Sequence, residues 1–407
     1  MAFIKPFRAI RPVPEEAKQA ACVPYDVVDT EEARKLAQGN PVSFLHVTRP
    51  EIDLPQGTDL YHEAVYRKAK QNFDNFIHQG ILIQDDQPSI YVYRMTMGDH
   101  QQVGIAACCS VDEYDKDIIK KHEYTRREKE DDRLRHMLAI SAHAGPVLLT
   151  FRGNAVIEKL LTEAVNEKPL YDLTDEQEVR HTIWKLKNPG QMAAAFQDLP
   201  VLYIADGHHR AAGASRVKQE MLKKNPQSSG DEEWRYFLAV MFPSDQMRIF
   251  PYNRYITDLG GMSAEDFVNR AGQIFRVMKN GKKQPVQKGQ MGMYVDGCWY
   301  ELFISESAYK EHDPVGRLDL SVFQKKLLEP VLGITDQKND KRIDFVGGPD
   351  SPGKLEKLVD EKGGAAFSFY PVSVEELLAV ADAGKIMPPK STWFAPKLRS
   401  GLLIHSF

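Results

Sequence analysis

The stretch VLYIADGHHRAAGA, residues 201–214, passes from apolar residues straight into Asp206, Gly207, His208, His209 and Arg210, and then into small residues. Residues 201–205 read as a buried strand and AAGASRVKQEMLKK as a helix, so the five polar positions span a strand-to-helix junction. The first turn of a helix has N–H groups without intrahelical partners and a partial positive charge, which together favour a bound anion. Phosphate suits this pattern. Gly207 lets the backbone approach a ligand or take a positive φ, Arg210 can bind phosphate oxygens bidentately, and His208 or His209 can donate hydrogen bonds. Asp206 could hold a Mg²⁺ ion or a hydroxyl. A plainer reading has Asp206 capping the helix, Gly207 making the turn and the histidine pair packing.

Two further segments carry candidate chemistry. In KKHEYTRREKEDDR, residues 120–133, an HE pair is present, but position 126 is Arg, so the HExxH zinc helix fails at its second ligand. Glu123, surrounded by Lys120, Lys121, Arg126 and Arg127, would stay ionised and could take a proton from an alcohol in a buried pocket. The alternative is an exposed charged helix face. In MPPKSTWFAPKLRSG, residues 387–401, the run Lys390, Ser391 and Thr392 is like the end of a phosphate loop, yet Pro388-Pro389 stand where glycines would be needed. Lys390 could still reach a phosphate as a point charge, or lie in an ordinary surface loop. The segment ACVPYDVVDTEEA, with Pro24, Tyr25 and Asp26, reads as a turn entering a capped helix and shows no chemistry by itself.

The elements that must position these residues point to a mixed α/β protein. At 407 residues the chain exceeds one ordinary core. With 42% hydrophobic and 27% charged residues, and no apolar run near the ~18 residues a membrane span needs, it reads as globular, without a bilayer crossing or signal peptide, and cytoplasmic. Cys22, Cys108, Cys109 and Cys298 form no CxxC pair and are expected to be reduced packing residues. A net charge of −4 argues against a general grip on nucleic acid. Residues 89–97 and 103–111 predict an antiparallel hairpin around Gly98-Asp99. Between Lys116 and Arg135 fourteen of twenty residues are charged, so much of that stretch must face water; beyond it Leu134, Met137 and Leu138 recur at helical spacing. VLLTFR, a helix lined by Val156, Ile157, Leu160, Leu161, Ala164 and Val165, VRHTIWKL, GQMAAAFQDL and VLYIAD alternate strand and helix, which predicts an α/β layer with some parallel pairing. Residues 225–233 and 277–285 read as exposed loops. A boundary near Thr257 separates a core, residues 1–257, from a C-terminal α/β subdomain, residues 258–407, which brings the KST motif to the cleft.

Taken together, KPFRAIRP, VPYDVV, KKHEYT with DDR downstream, RHTIW, ADGHHR and MPPKSTWFAPKL resemble the bacterial and archaeal domain-of-unknown-function family 1015, in order from Lys5 to Leu398. The ADGHHR segment is also similar to the signature turn of the ParB/sulfiredoxin-like superfamily, some members of which phosphorylate free serine using ADP. The resemblance implies a ParB/sulfiredoxin-like catalytic core. Asp206, Gly207, His208, His209 and Arg210 would form the phosphate-binding turn, Glu123 would be the base, and His122, Thr125 and Arg133 would match the HExT and DR positions. Lys390, Ser391 and Thr392 would match the terminal KST motif. Residues 206–215 contain no Cys, which argues against sulfiredoxin activity; His208 stands in the turn instead. No basic recognition helix follows Arg210 to support DNA partitioning. Ala211 and Ala212 stand where the family often has Tyr and Glu, so no ligand contact is expected from them.

These observations lead to an expected small-molecule phosphotransferase. ADP or ATP would sit on the turn at 206–210 with Mg²⁺ at Asp206, Asp206 and His208 would assist the chemistry, and Glu123 would deprotonate an acceptor such as free serine. A nucleotide hydrolase and a non-enzymatic nucleotide-binding regulator are the competing readings. The expected partners are the nucleotide and a small-molecule substrate, with no membrane or nucleic acid, and a homodimer is allowed.

Overall fold

The computed structural model describes residues 1–309, 312–349 and 351–407. The chain is mixed α/β, as expected. It divides into two compact units: the first comprises Met1–Lys121, Thr125–Met247 and Pro396–Phe407, the second His122–Tyr124 and Arg248–Ala395. No helix among the described residues is long and apolar enough to cross a membrane.

Among the described residues, the first unit is built on a nine-stranded sheet. Its order runs Ile119–Lys120, Leu202–Asp206, Val147–Phe151, Tyr236–Pro243, His100–Ser110, Tyr91–Met97, Arg180–Lys185, Tyr171–Thr174, with Ile4–Lys5 also pairing to His100–Ser110. The expected hairpin is present with a tighter turn: Met97 pairs with His100, leaving only Gly98-Asp99 between the strands. Parallel pairing also occurs, between Val147–Phe151 and Tyr236–Pro243 and between Ile119–Lys120 and Leu202–Asp206. Leu202–Asp206 itself runs antiparallel to Val147–Phe151, and the intervening chain visits the far edge of the sheet. Leu202, Tyr203, Ile204 and Ala205 are all buried, which explains the unbroken apolar run that announces this strand. The ladder shifts register between Ile204 and Asp206, and such a bulge re-aims the last side chain of the strand.

Two helices flank that strand's end. His208–Lys224 buries Ala211, Ala212, Gly213 and Ala214, and this run of small residues lets the helix lie close against Arg127–Ile140. A Cβ on Gly213 would stand 2.9 Å from the Cβ of Arg133, so the crossing requires glycine there. The buried residues of Arg127–Ile140 are Arg133, His136, Met137 and Ile140, whereas Leu134 and Leu138 are only half-buried. The stripe expected from Leu134, Met137 and Leu138 is therefore rotated toward two ionisable residues, each of which finds a partner inside.

The second unit holds a six-stranded antiparallel sheet in the order Arg276–Lys279, Cys298–Phe303, Gln290–Val295, Ala365–Phe369, Tyr252–Ile256, Ile343–Gly347. Residues 277–279, expected in a loop, are edge strand, because Val277 and Met278 pair with Leu302 and Glu301. The apolar stretch 291–304 folds as a hairpin around Asp296-Gly297, both at positive φ. The four cysteines are unbridged.

Candidate functional site

Strand Leu202–Asp206 delivers Asp206 to the sheet's end, and Gly207, at φ 96°, turns the chain into helix His208–Lys224. Gly207 occupies the N-cap and no side chain caps this helix. Asp29, Asn154, Ser263 and Ser373 cap theirs through side-chain oxygens, whereas Arg127–Ile140 and Pro189–Phe196 share the absence of a side-chain cap. The plainer reading, with Asp206 as the cap, does not hold: its Oδ2 accepts from Lys397 Nζ at 3.0 Å and lies 3.7 Å from Arg210 Nη2. Burial opposes ionisation of Asp206, but the Lys397 ammonium and the Arg210 guanidinium outweigh it and hold the carboxyl well below the usual range.

Arg210 faces inward. It is 5% exposed, Nη1 donates to the carbonyl of Pro146, and Nη2 lies 3.7 Å from both Asp26 and Asp206. Its Nε has no hydrogen-bond partner among the described residues. A cavity of about 20 Å³, lined by Tyr25, Arg133, Arg210 and Ser400 among others, lies beside it. That space holds about one water and not a phosphate group. The expected bidentate phosphate grip is thus replaced by a structural role: the guanidinium lies beneath Gly207, where a Cβ would meet it at 2.9 Å, and ties Asp206 to Asp26.

Three residues at this site escaped the sequence reading. Tyr25 lies under the Arg133 guanidinium, 3.6 Å from ring centroid to Cζ, and Arg133 Nη2 pairs with Asp132 at 2.6 Å. Asp26 follows it, and Lys397 arrives on the C-terminal segment, whose Ser400 exchanges backbone hydrogen bonds with Cys22. Segments at positions 24–26, 132–133, 206–210 and 397–400 therefore converge within one unit. A signal existed: Asp26 and Lys397 are isolated charges inside the otherwise apolar motifs VPYDVV and FAPKL.

The histidines differ. His209 is half-buried and its Nε2 accepts the backbone N–H of Arg126 at 3.1 Å, which joins the turn to the start of the neighbouring helix. His208 is 4% exposed; burial, against the pull of Asp206, pushes it down to about 3. His136, also buried, donates through Nε2 to the carbonyl of Val47 at 2.8 Å, and burial and Arg133 lower it to about 4. His208 is thus a neutral imidazole at physiological pH, suited to hydrogen bonding and a poor proton acceptor.

The shifts of His208 and His136 make stability depend on pH, in the same direction as burial of His143, His181 and His405 and against His46, whose hydrogen bond to Asp53 raises its pKa. In the unfolded chain both imidazoles protonate near 6.5, so below that pH the unfolded state binds more protons than the folded one. Their contribution is complete above about 6.5 and falls as the pH drops toward 4. Asp206 and Asp175, held low in the fold, lose theirs only below the ordinary 3.8. Urea midpoints measured across pH 4–8 are expected to decline from 6.5 downward; a flat profile to pH 4 would rule out the buried imidazoles as the cause.

The remaining candidates separate by unit. Thr125 belongs to the first unit, where its hydroxyl donates to Glu130. His122 and Glu123 belong to the second, as do Lys390, Ser391 and Thr392. His122 is buried and its carbonyl accepts from Met387 N–H at 2.9 Å, while Glu123 is half-buried. Ser391 is spent on the carbonyl of Pro388 at 2.6 Å, and Thr392 is half-buried. Lys390 is exposed, takes a positive φ of 53°, and has its carbonyl held by the fully buried Arg254 at 2.9 Å. No motif or spacing in the sequence singles out Arg254, which grips the Pro389 carbonyl as well. The donor set does not fit a protein-held Mg²⁺ at Asp206, whose carboxylate already faces two cations. Among the described residues no three His, Cys, Asp or Glu side chains group to hold a metal.

A family model described as a protein of unknown function, DUF1015, matches residues 4–321. No curated protein matches the chain. Among solved structures, a free serine kinase in complex with AMP is 13% identical, with 74% of this chain and 91% of that one covered at a TM-score of 0.36. SbnI with a C-terminal truncation from Staphylococcus aureus is 11% identical over 74% and 87% at 0.39. A conserved hypothetical protein from Pyrococcus furiosus is 15% identical over 73% and 94% at 0.36.

Proposed function

This chain belongs to the DUF1015 family, and on that premise we propose that it is a small-molecule phosphotransferase whose first unit binds the phosphates of ADP or ATP at residues 206–210. One observation carries the reading: a strand ends on a bulge and a positive-φ glycine and enters a 17-residue helix that no side chain caps, with the Lys397 ammonium alongside. A phosphate oxygen placed there would take the position of the missing cap, and the helix dipole and Lys397 would share its charge. Arg210 acts from behind, fixing Asp206 and the shape of the turn. His208, neutral, is a hydrogen-bonding residue in this scheme. Glu123 is assigned as the base for the acceptor hydroxyl on its motif, with free serine as the acceptor class.

The test incubates the full chain with labelled ADP or ATP, Mg²⁺ and a mixture of hydroxyl metabolites including serine. Transfer of label to an organic product is the expected result. Release of inorganic phosphate at the same rate without an acceptor would replace the reading with a hydrolase, and nucleotide binding without any product would replace it with a regulator.

A further inference from the structure

The second unit contains, within its own residues, a cavity of about 630 Å³ that no part of the nucleotide reading uses. This falls within the range of small-molecule sites. Among the described residues, Arg276, Lys288 and Arg317 line it against a single carboxylate, Glu306, in a chain whose overall charge is −4. Lys288 is paired with Glu376. Arg276 and Arg317 are exposed, and neither has an acid partner among the described residues.

The walls are built rather than loose. Arg276 sits directly across the strand pair from Phe303, and its guanidinium lies over that ring, 4.0 Å from Cζ to the centroid. Opposite, Asp319 is 7% exposed; it accepts from Tyr309 OH at 2.6 Å and from Gly289 N–H at 2.9 Å, so the aromatic ring and the loop before Gln290 are locked together. A ligand entering would meet Arg276 packed on Phe303 and Tyr309 tied to Asp319, which lowers the entropic cost of binding. Two guanidiniums match the charge of one dianion and can form bidentate bonds to it. The rings of Phe303 and Tyr309 supply apolar surface for a short carbon body.

We propose that this cavity is a binding site for a small phosphomonoester, a compact organic phosphate carried on a few carbons. It is independent of the turn at 206–210. The test is calorimetric titration of the full chain at about 0.15 M salt with glycerol 3-phosphate, inorganic phosphate and malonate. Saturable binding of glycerol 3-phosphate is expected, at least tenfold tighter than malonate. Arg276→Ala and Arg317→Ala should each weaken it at least tenfold while both variants stay folded, with a cooperative circular-dichroism melting curve, as both side chains are exposed. Absence of saturable heat, affinity unaltered in both variants, or displacement by equimolar ADP would overturn the proposal, and tighter binding of malonate would overturn the phosphate assignment.

Discussion

Gly207→Ala will destabilise the protein by about 2–5 kcal/mol and weaken nucleotide binding at least tenfold. Two effects combine. An alanine held at φ 96° costs roughly 1–2 kcal/mol for its left-handed conformation. The new methyl would also lie 2.9 Å from the Arg210 guanidinium, and overpacking of this kind typically costs about 1–3 kcal/mol. Arg210 cannot simply move aside, since it holds the Pro146 carbonyl and sits between Asp26 and Asp206 at 5% exposure. Gly80→Ala separates the two contributions. Gly80 has a φ of 71° with nothing within 4 Å of a Cβ, so that variant should lose only the conformational part. Urea denaturation of the two variants gives the contact effect as a difference. If Gly207→Ala costs no more than Gly80→Ala, Arg210 does not support the turn as described. If nucleotide affinity survives the substitution, the turn is not the phosphate site.

Glu123→Gln is expected to reduce turnover by about 10²–10⁴-fold, the usual contribution of a positioned general base, while the nucleotide dissociation constant stays within about twofold. The exchange keeps the size and hydrogen-bonding outline of the side chain and removes only its ability to take a proton. The separation of binding from turnover is the informative part. A variant that loses nucleotide affinity in parallel would mark Glu123 as a binding or structural group, and equal turnover would refute the assignment. The unit to which Glu123 belongs also contains Lys390, Ser391 and Thr392. Lys390 is the exposed one of these three, so Lys390→Ala distinguishes a contribution of that loop from one of Glu123 in the same assay.

Much of the local structure is legible in the chain. The run LYIA is apolar on every residue because the strand it forms is covered on both faces, and the abrupt change at Asp206-Gly207 marks its end. AAGASRVKQEMLKK reads as a helix, but only the fold shows that its small residues lie close against Arg127–Ile140. The charged stretch 116–135 misleads for a physical reason. Charge density suggests exposure, yet Arg133 and His136 are buried because Asp132, Tyr25 and the Val47 carbonyl meet them, and none of these except Asp132 is near in sequence. The same applies to Arg210: its type suggests a ligand contact, and only its surroundings reveal that its charge is used internally.

By itself the sequence determined the mixed α/β class, the strand-to-helix junction at 206–207 and the glycine needed there, because these depend on backbone conformation and on apolar patterning over a few residues. Tertiary structure decided the rest: that Asp26 and Lys397, 371 positions apart in the chain, stand on either side of Asp206 and Arg210, that Arg210 turns inward, and that Glu123 and the KST loop belong to the other unit. Electrostatic partnership depends on distance in space, and burial sets its strength. Neither is encoded in the spacing of residues along a chain.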